Sequence, residues 1–159
     1  MKSSQKLSVY QDTMFNKTVE DATTHILEFK TYVVQTAAIM DELPSKFGPT
    51  LAYHMDKLKV SSSALADRSL INEDVIRRYR NNTTKGNPSI RTVIALCVGL
   101  QLPPPLCFDL TRKAKYDFSN GDPEDIAFQT IICSMTRNSI YECNELLISL
   151  GLKPLSKIT

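Results

Sequence analysis

Leu65-Ala66-Asp67-Arg68-Ser69-Leu70-Ile71-Asn72-Glu73-Asp74-Val75-Ile76-Arg77-Arg78-Tyr79 is the stretch that decides the fold. It reads as two short helices joined by a tight turn. The first opens at Ser61-Ser62-Ser63, whose hydroxyls can cap backbone amides left without partners at a helix start, and continues through Leu65 and Ala66 to about Ser69. Asn72 is placed to cap the second, from Glu73 to about Arg80, with Ile76 and Tyr79 turned inward. Glu73 with Arg77 and Asp74 with Arg78 are i, i+4 pairs with the acid toward the amino end, the orientation that suits the helix dipole.

Working outward, the spacing of Leu51, Met55 and Leu58 predicts a preceding helix over 50–59, and Pro44 and Gly48-Pro49 read as the break between it and the segment before. After the polar, glycine-containing loop 81–87, Ser89 caps a helix that carries Ile90, Val93, Ile94, Cys97 and Leu100. The Pro103-Pro104-Pro105 run leads into another around 106–113.

The flanks are helical too. Between 18 and 43 apolar residues return at Val19, Ala22, Ile26, Phe29, Val33, Met40 and Leu43, nearly a heptad seam interrupted by Thr36. That predicts one long helix, against a competing strand at 26–34 suggested by Phe29, Tyr32, Val33 and Val34. Its apolar stripe could cover the central domain or pair with a second copy. Asn120-Gly121 marks a turn, and Asp122-Pro123-Glu124 starts a helix that runs to about Met135. Ser139-Ile140-Tyr141-Glu142 is a capping-box pattern opening a last helix that ends at Gly151, with Pro154 beyond. Ile140, Leu147 and Leu150 either cover one side of the central domain or form a partner surface.

The 159 residues are 42% hydrophobic and 23% charged, values that exclude wholesale disorder and fibrous repeats. Five glycines and no tryptophan argue against a glycine-rich nucleotide fold. No apolar run reaches the ~18–20 residues needed to span a bilayer, and residues 1–5 are polar where a secretory signal would become apolar, so a cytoplasmic location and no membrane partner are expected. Cys97, Cys107, Cys133 and Cys143 lack Cys-x-x-Cys spacing and read as reduced, buried hydrophobes, with no metal and no cofactor implied. There is no phosphate-cradling Gly-x-x-x-x-Gly-Lys loop, Gly-x-Ser-x-Gly elbow or His-Glu-x-x-His helix, and His25 and His54 stand alone, so an enzyme is not expected. The overall charge of +2 hides an asymmetry: residues 1–45 carry net −2, residues 46–116 carry twelve basic and five acidic residues for net +7, and residues 117–159 carry net −3. The middle segment is the part that would attract a polyanion.

Taken together, the Ser61 start, Leu65-Ala66, Ile71, Ile76, Asn81, Asn87-Pro88-Ser89 and the helix 90–100 resemble the Cro and phage-repressor family of helix-turn-helix domains, often called XRE-like, over residues 50–114. The resemblance implies an all-α chain. A five-helix lambda-repressor-like helix-turn-helix domain would occupy 46–116, preceded by an amino-terminal helical segment at 1–45 for packing or dimerisation and followed by a helical hairpin at 117–159. The hairpin looks like the tail that follows such domains in some bacterial proteins. The implied function is that of a bacterial or phage transcription regulator whose second helix enters the ~12 Å major groove of double-stranded DNA.

Carried over by position, Glu73, Asp74 and Arg78, with Arg77 beside them, would read bases, and Ser62, Ser63, Thr83, Thr84 and Lys85 would hold phosphates. Leu65, Ala66, Ile76 and Tyr79 would be core. The chain departs from the family at Leu70, where glycine is common and where an altered turn is therefore expected, and at Ser62, where many members have glutamine. Two carboxylates at Glu73 and Asp74 would also stand next to DNA, where each can accept from a cytosine amino group but repels phosphate. A homodimer is expected, because one such helix reads only a few base pairs. The alternative is a protein-binding adaptor or anti-repressor that keeps the fold while the acids discourage nucleic acid.

Overall fold

The computed structural model describes residues 26–157, which form eight α-helices and no strand. They are α1 (Ile26–Glu42), α2 (Phe47–Leu58), α3 (Ser62–Ser69), α4 (Glu73–Arg80), α5 (Ile90–Leu100), α6 (Pro104–Lys113), α7 (Pro123–Ser134) and α8 (Ile140–Ser149). None of these is long and apolar enough to cross a membrane. The chain divides into two compact units, Met1–Leu43 and Pro44–Thr159.

In the first unit α1 is helical throughout, so the strand alternative at 26–34 is excluded; residues 18–25 of the expected helix, with Val19, Ala22 and His25, lie outside the described residues. The buried face of α1 is Tyr32, Thr36 and Ile39, one step round the helix from the seam read in the sequence. Ile26, Phe29 and Val33 of that seam are exposed. Thr36, which seemed to interrupt the pattern, sits inside it because its hydroxyl donates to the Tyr32 carbonyl at 2.7 Å, which satisfies the buried polar group within its own helix.

The second unit is built around α5. Every residue of α5 from Val93 to Leu100 is buried, and α2, α3, α6, α7 and α8 all pack against it. A helix without charged residues after Arg91 has no solvent face to offer, so it takes the centre. Gly99 sets how closely α3 approaches: a Cβ there would lie 2.8 Å from Leu65 Cδ1 and 3.2 Å from Ser69 Cβ. The hairpin α7–α8 is joined to this core through Phe128, Ile131, Ile132, Ile140, Cys143 and Leu147, all buried, whereas Leu150 is 58% exposed and takes no part in the covering face expected for it. Arg91 donates to Glu124 at 2.6 Å and lies over the Phe128 ring, fixing α7 to the start of α5. The Tyr116 hydroxyl donates to the buried Asp125 carboxylate, which also accepts from the Ser119 amide at 2.6 Å; the bond to Asp125 pushes the phenol up to about 12.

The local start signals hold. Ser61, Asn72, Ser89, Asp122 and Ser139 each accept a hydrogen bond from an amide of the helix they precede. Ser139 and Glu142 form the full capping box, and the Ser139 amide holds the Glu142 carboxyl below its ordinary range. The long helix ends at Glu42, just before Pro44, as expected, but Gly48-Pro49 is not part of the break. Both residues lie in the first turn of α2, where the N–H that proline lacks has no helical partner in any case. Gly48 is there for proximity, since a Cβ would stand 2.3 Å from the Tyr79 carbonyl oxygen at the end of α4.

Of the four cysteines, Cys97, Cys107 and Cys143 are buried free thiols, and Cys133 is exposed, contrary to its apolar neighbourhood in the sequence. It falls on the outer side of α7, where Ile131 and Ile132 have taken the inward positions.

Candidate nucleic-acid interface

The helix pair α3–α4 presents the charged surface. Leu65 and Ile76 are fully buried and anchor the two helices, and Ala66 and Tyr79 are half-buried at the edge. Phe47 meets the Tyr79 ring edge-on at 5.5 Å, and Arg80 reaches back to Asp56 at 2.7 Å, so α4 is tied to α2 at its carboxy-terminal end. Ile76 is the only fully buried residue of α4, which leaves Asp74, Arg77 and Arg78 exposed and Glu73 half-buried.

The charges on that face are unequally committed. Arg77 bonds Glu73 at 2.6 Å and lies 3.8 Å from Asp74. The anticipated Asp74–Arg78 ion pair is replaced: Arg78 Nε donates to the Asp74 backbone carbonyl at 3.4 Å, and among the described residues Arg78 makes no ion pair. The structure therefore brings Glu73, Asp74 and Arg77 into one cluster and leaves Arg78 beside it with an uncompensated guanidinium.

The other predicted positions flank this face. Ser62 is buried, 8% exposed, while Ser63 is exposed in the first turn of α3. After α4 the Asn82 amide bonds the Tyr79 carbonyl and the Thr83 amide bonds the Arg78 carbonyl, a Schellman end with Asn82 left-handed at φ 55°. The Thr83 hydroxyl also donates to the Arg78 carbonyl at 3.3 Å, Thr84 is half-buried, and Lys85 is exposed.

Leucine at the turn does not keep the backbone out of the left-handed region. Leu70 itself adopts the left-handed conformation, φ 56° and ψ 29°, with its amide bonded to the Ala66 carbonyl at 2.9 Å. Such a conformation costs a non-glycine residue about 1–2 kcal/mol, so its surroundings must hold it. They do so on both sides. Ser69 donates its hydroxyl to the Leu65 carbonyl at 2.6 Å and accepts from the Ile71 amide at 3.3 Å. From across the molecule the Ser156 hydroxyl donates to the Ser69 carbonyl at 2.6 Å. Ser156 is held in turn by Asn144 of α8, which accepts from the Leu155 amide at 2.8 Å and donates to the Ser156 carbonyl at 3.1 Å. Asn144, Leu155 and Ser156 are all buried.

This carboxy-terminal clasp went unread in the sequence, where a single Asn within the run Glu142–Leu147 carries no local signal of a partner at 155–156. It also brings Tyr141 and Lys157 to a cleft of about 470 Å³ beside the turn, lined further by Leu70, Asn72 and Glu73. His54, the other titratable group of interest, is fully buried in α2; burial, and then the positive charge of Lys113, depress it to about 3 and keep the imidazole neutral. Comparison of the chain with protein-family models, curated proteins and solved structures found no match.

Proposed function

We infer that the chain is a sequence-specific DNA-binding transcription regulator that reads the major groove with α4. On this reading α2–α6 form a lambda-repressor-like helix-turn-helix domain of the Cro and phage-repressor kind, acting as a cytoplasmic homodimer. The carrying observation is the α3–turn–α4 pair, in which a helix anchored by Ile76 exposes Arg78 without an ionic partner among the described residues. Its position within the net +7 segment 46–116 supplies the long-range attraction that phosphates require. Arg78 is the residue free to make a bidentate contact to guanine, while Lys85 and Ser63 are exposed where a phosphate could meet them.

Fluorescence-anisotropy titration with a fragmented genomic DNA pool at several salt concentrations, followed by sequencing of the retained fragments, tests this reading. Steep salt dependence with an enriched palindromic site is the expected result. Equal binding by wild type and an Arg77→Ala/Arg78→Ala variant would overturn the assignment of α4.

One observation favours the rival adaptor or anti-repressor. Arg77 is already engaged by Glu73 and Asp74, so much of the positive charge on the α4 face is neutralised from within. Absence of DNA binding even at low salt, together with recovery of one stoichiometric protein from nuclease-treated lysate, would favour that reading.

A further inference from the structure

Helix α1 carries two apolar faces, and one of them is uncovered among the described residues. Tyr32, Thr36 and Ile39 form the buried face. On another side Ile26, Leu27, Val33, Val34 and Ala37 fall within an arc of about 120° at 3.6 residues per turn. All five are exposed, Leu27 at 75% and Val34 at 68%. Phe29 stands exposed at the edge of this stripe. Glu28, Thr31, Gln35 and Glu42 occupy the remaining side, so the polar residues are kept off the stripe rather than scattered through it. A helix that only covers its own chain needs one apolar face, and a second contiguous one marks an interaction surface.

Two charges lie on the stripe itself, Lys30 toward its amino-terminal end and Asp41 at its carboxy-terminal end. Both are exposed, and among the described residues neither makes an ion pair. About 16 Å of helix axis separates them, so they cannot reach one another within a single copy. A second α1 running antiparallel about a two-fold axis beside residues 35 and 36 meets both needs at once. Lys30 of each copy then faces Asp41 of the other, and Val34 faces Ala37. A parallel pair would instead set Lys30 on Lys30 and Asp41 on Asp41. The exposed apolar side chains of the stripe come to on the order of 500 Å² per copy, which doubled reaches the ~1,000 Å² that a specific interface needs.

We propose that this stripe of α1 is a homodimer interface, packed antiparallel against the same stripe of a second copy, with two symmetric Lys30–Asp41 pairs setting its direction. It locates the dimer that a regulator reading a palindromic site requires, yet it does not rest on DNA binding, since no residue of α4 takes part.

The test is sedimentation equilibrium of the full chain, without DNA, at loadings from micromolar to submillimolar. A concentration-dependent dimer is expected. Val34→Glu should weaken it about ten-fold or more, because it sets a carboxylate on the apolar stripe of both copies. Val34 is exposed in the single chain, so the circular dichroism of this variant should match wild type and certify its fold. Lys30→Glu and Asp41→Lys should each weaken the dimer about three-fold or more, and the two combined should restore it, because the exchanged pair is again opposite in sign across an antiparallel interface. A chain that stays monomeric throughout, or a dimer that Val34→Glu leaves intact, would overturn the interface. Failure of the combined exchange to restore what either single change weakened would overturn the antiparallel arrangement. Loss of DNA binding in the anisotropy titration beside an intact dimer would reject the regulator reading and leave this interface standing.

Discussion

Helices α5 and α4 belong to the same compact unit and have opposite compositions. Eleven residues of α5 carry one charge, Arg91, and the helix is buried on every side from Val93 onward; eight residues of α4 carry five charges and bury only Ile76 completely. Helix α5 as a whole packs against five others, so sequence change on its buried positions acts on stability. In α4 one anchor suffices, because α2 grips its carboxy-terminal end and the clasp from α8 holds the turn before it. The lesson is that the outward face of α4 is free to vary without loss of the fold, because its position is set elsewhere.

The sharpest way to break this contrast is Leu96→Ala in α5. It removes a fully buried side chain and should cost about 3–4 kcal/mol in chemical denaturation, within the usual range for core leucines. A cost below about 1 kcal/mol would mean that α5 is not the centre of the core.

Asn144→Ala probes the link between the regions. It leaves the Leu155 amide and Ser156 carbonyl without their partner in a buried place, and about 2–3 kcal/mol of destabilisation is expected. Leu70→Gly in the same chain should recover part of that loss, because the conformation the clasp supports would no longer be strained. Strict additivity in this double-mutant cycle would show that the clasp and the turn are independent.

The interior also makes an acid-sensitivity prediction. His54 stays neutral in the fold down to about pH 3, whereas the unfolded chain binds a proton below about 6.5. The unfolded state therefore holds more protons between these values, so this contribution to stability is complete above pH 6.5 and falls as pH drops, by about 1 kcal/mol per unit and about 2–3 kcal/mol by pH 4.5. His54→Leu should flatten this dependence in denaturation curves recorded from pH 7 to 4.5; an unchanged slope would remove His54 as its cause.

Smaller effects lie at the surface. Lys59 ends α2 in a left-handed conformation at φ 55° and is exposed, so Lys59→Gly should stabilise by about 1 kcal/mol, read as a higher denaturation midpoint. Arg78→Ala should change stability by less than about 0.5 kcal/mol while weakening DNA binding severalfold or more. Loss of stability comparable to that of Leu96→Ala would contradict the division between a scaffold in α5 and a structurally unconstrained outer face in α4.

Helix starts were legible and helix ends fell within one or two residues of their expected places, but the backbone conformation that closes those ends was not legible. Serine, asparagine and aspartate at 61, 72, 89, 122 and 139 announce their roles because capping is a bond between a side chain and amides two or three residues away. Five ends use the Schellman pattern, yet only Gly151 supplies the glycine that would signal it; Lys59, Asn82, Gln101 and Lys115 adopt positive φ instead. Asparagine at 82 is a residue that visits this region, whereas at Lys59, Gln101 and Lys115 the residue type carries no mark of it. Leu70 is the same case at the turn.

By itself the sequence determined that the described chain is helical, where most of those helices begin, and which residues of α4 face outward, since 3.6-residue periodicity and short-range capping are local properties. Only the tertiary structure decided which side of α1 is buried, that Arg77 rather than Arg78 is the committed arginine, that Leu150 stays exposed, and that Asn144 and Ser156 secure the turn at Leu70. The bond between Ser156 and Ser69 joins residues 87 positions apart, and no local pattern encodes it. It exists because α8 packs on α5 and carries the end of the chain back to α3.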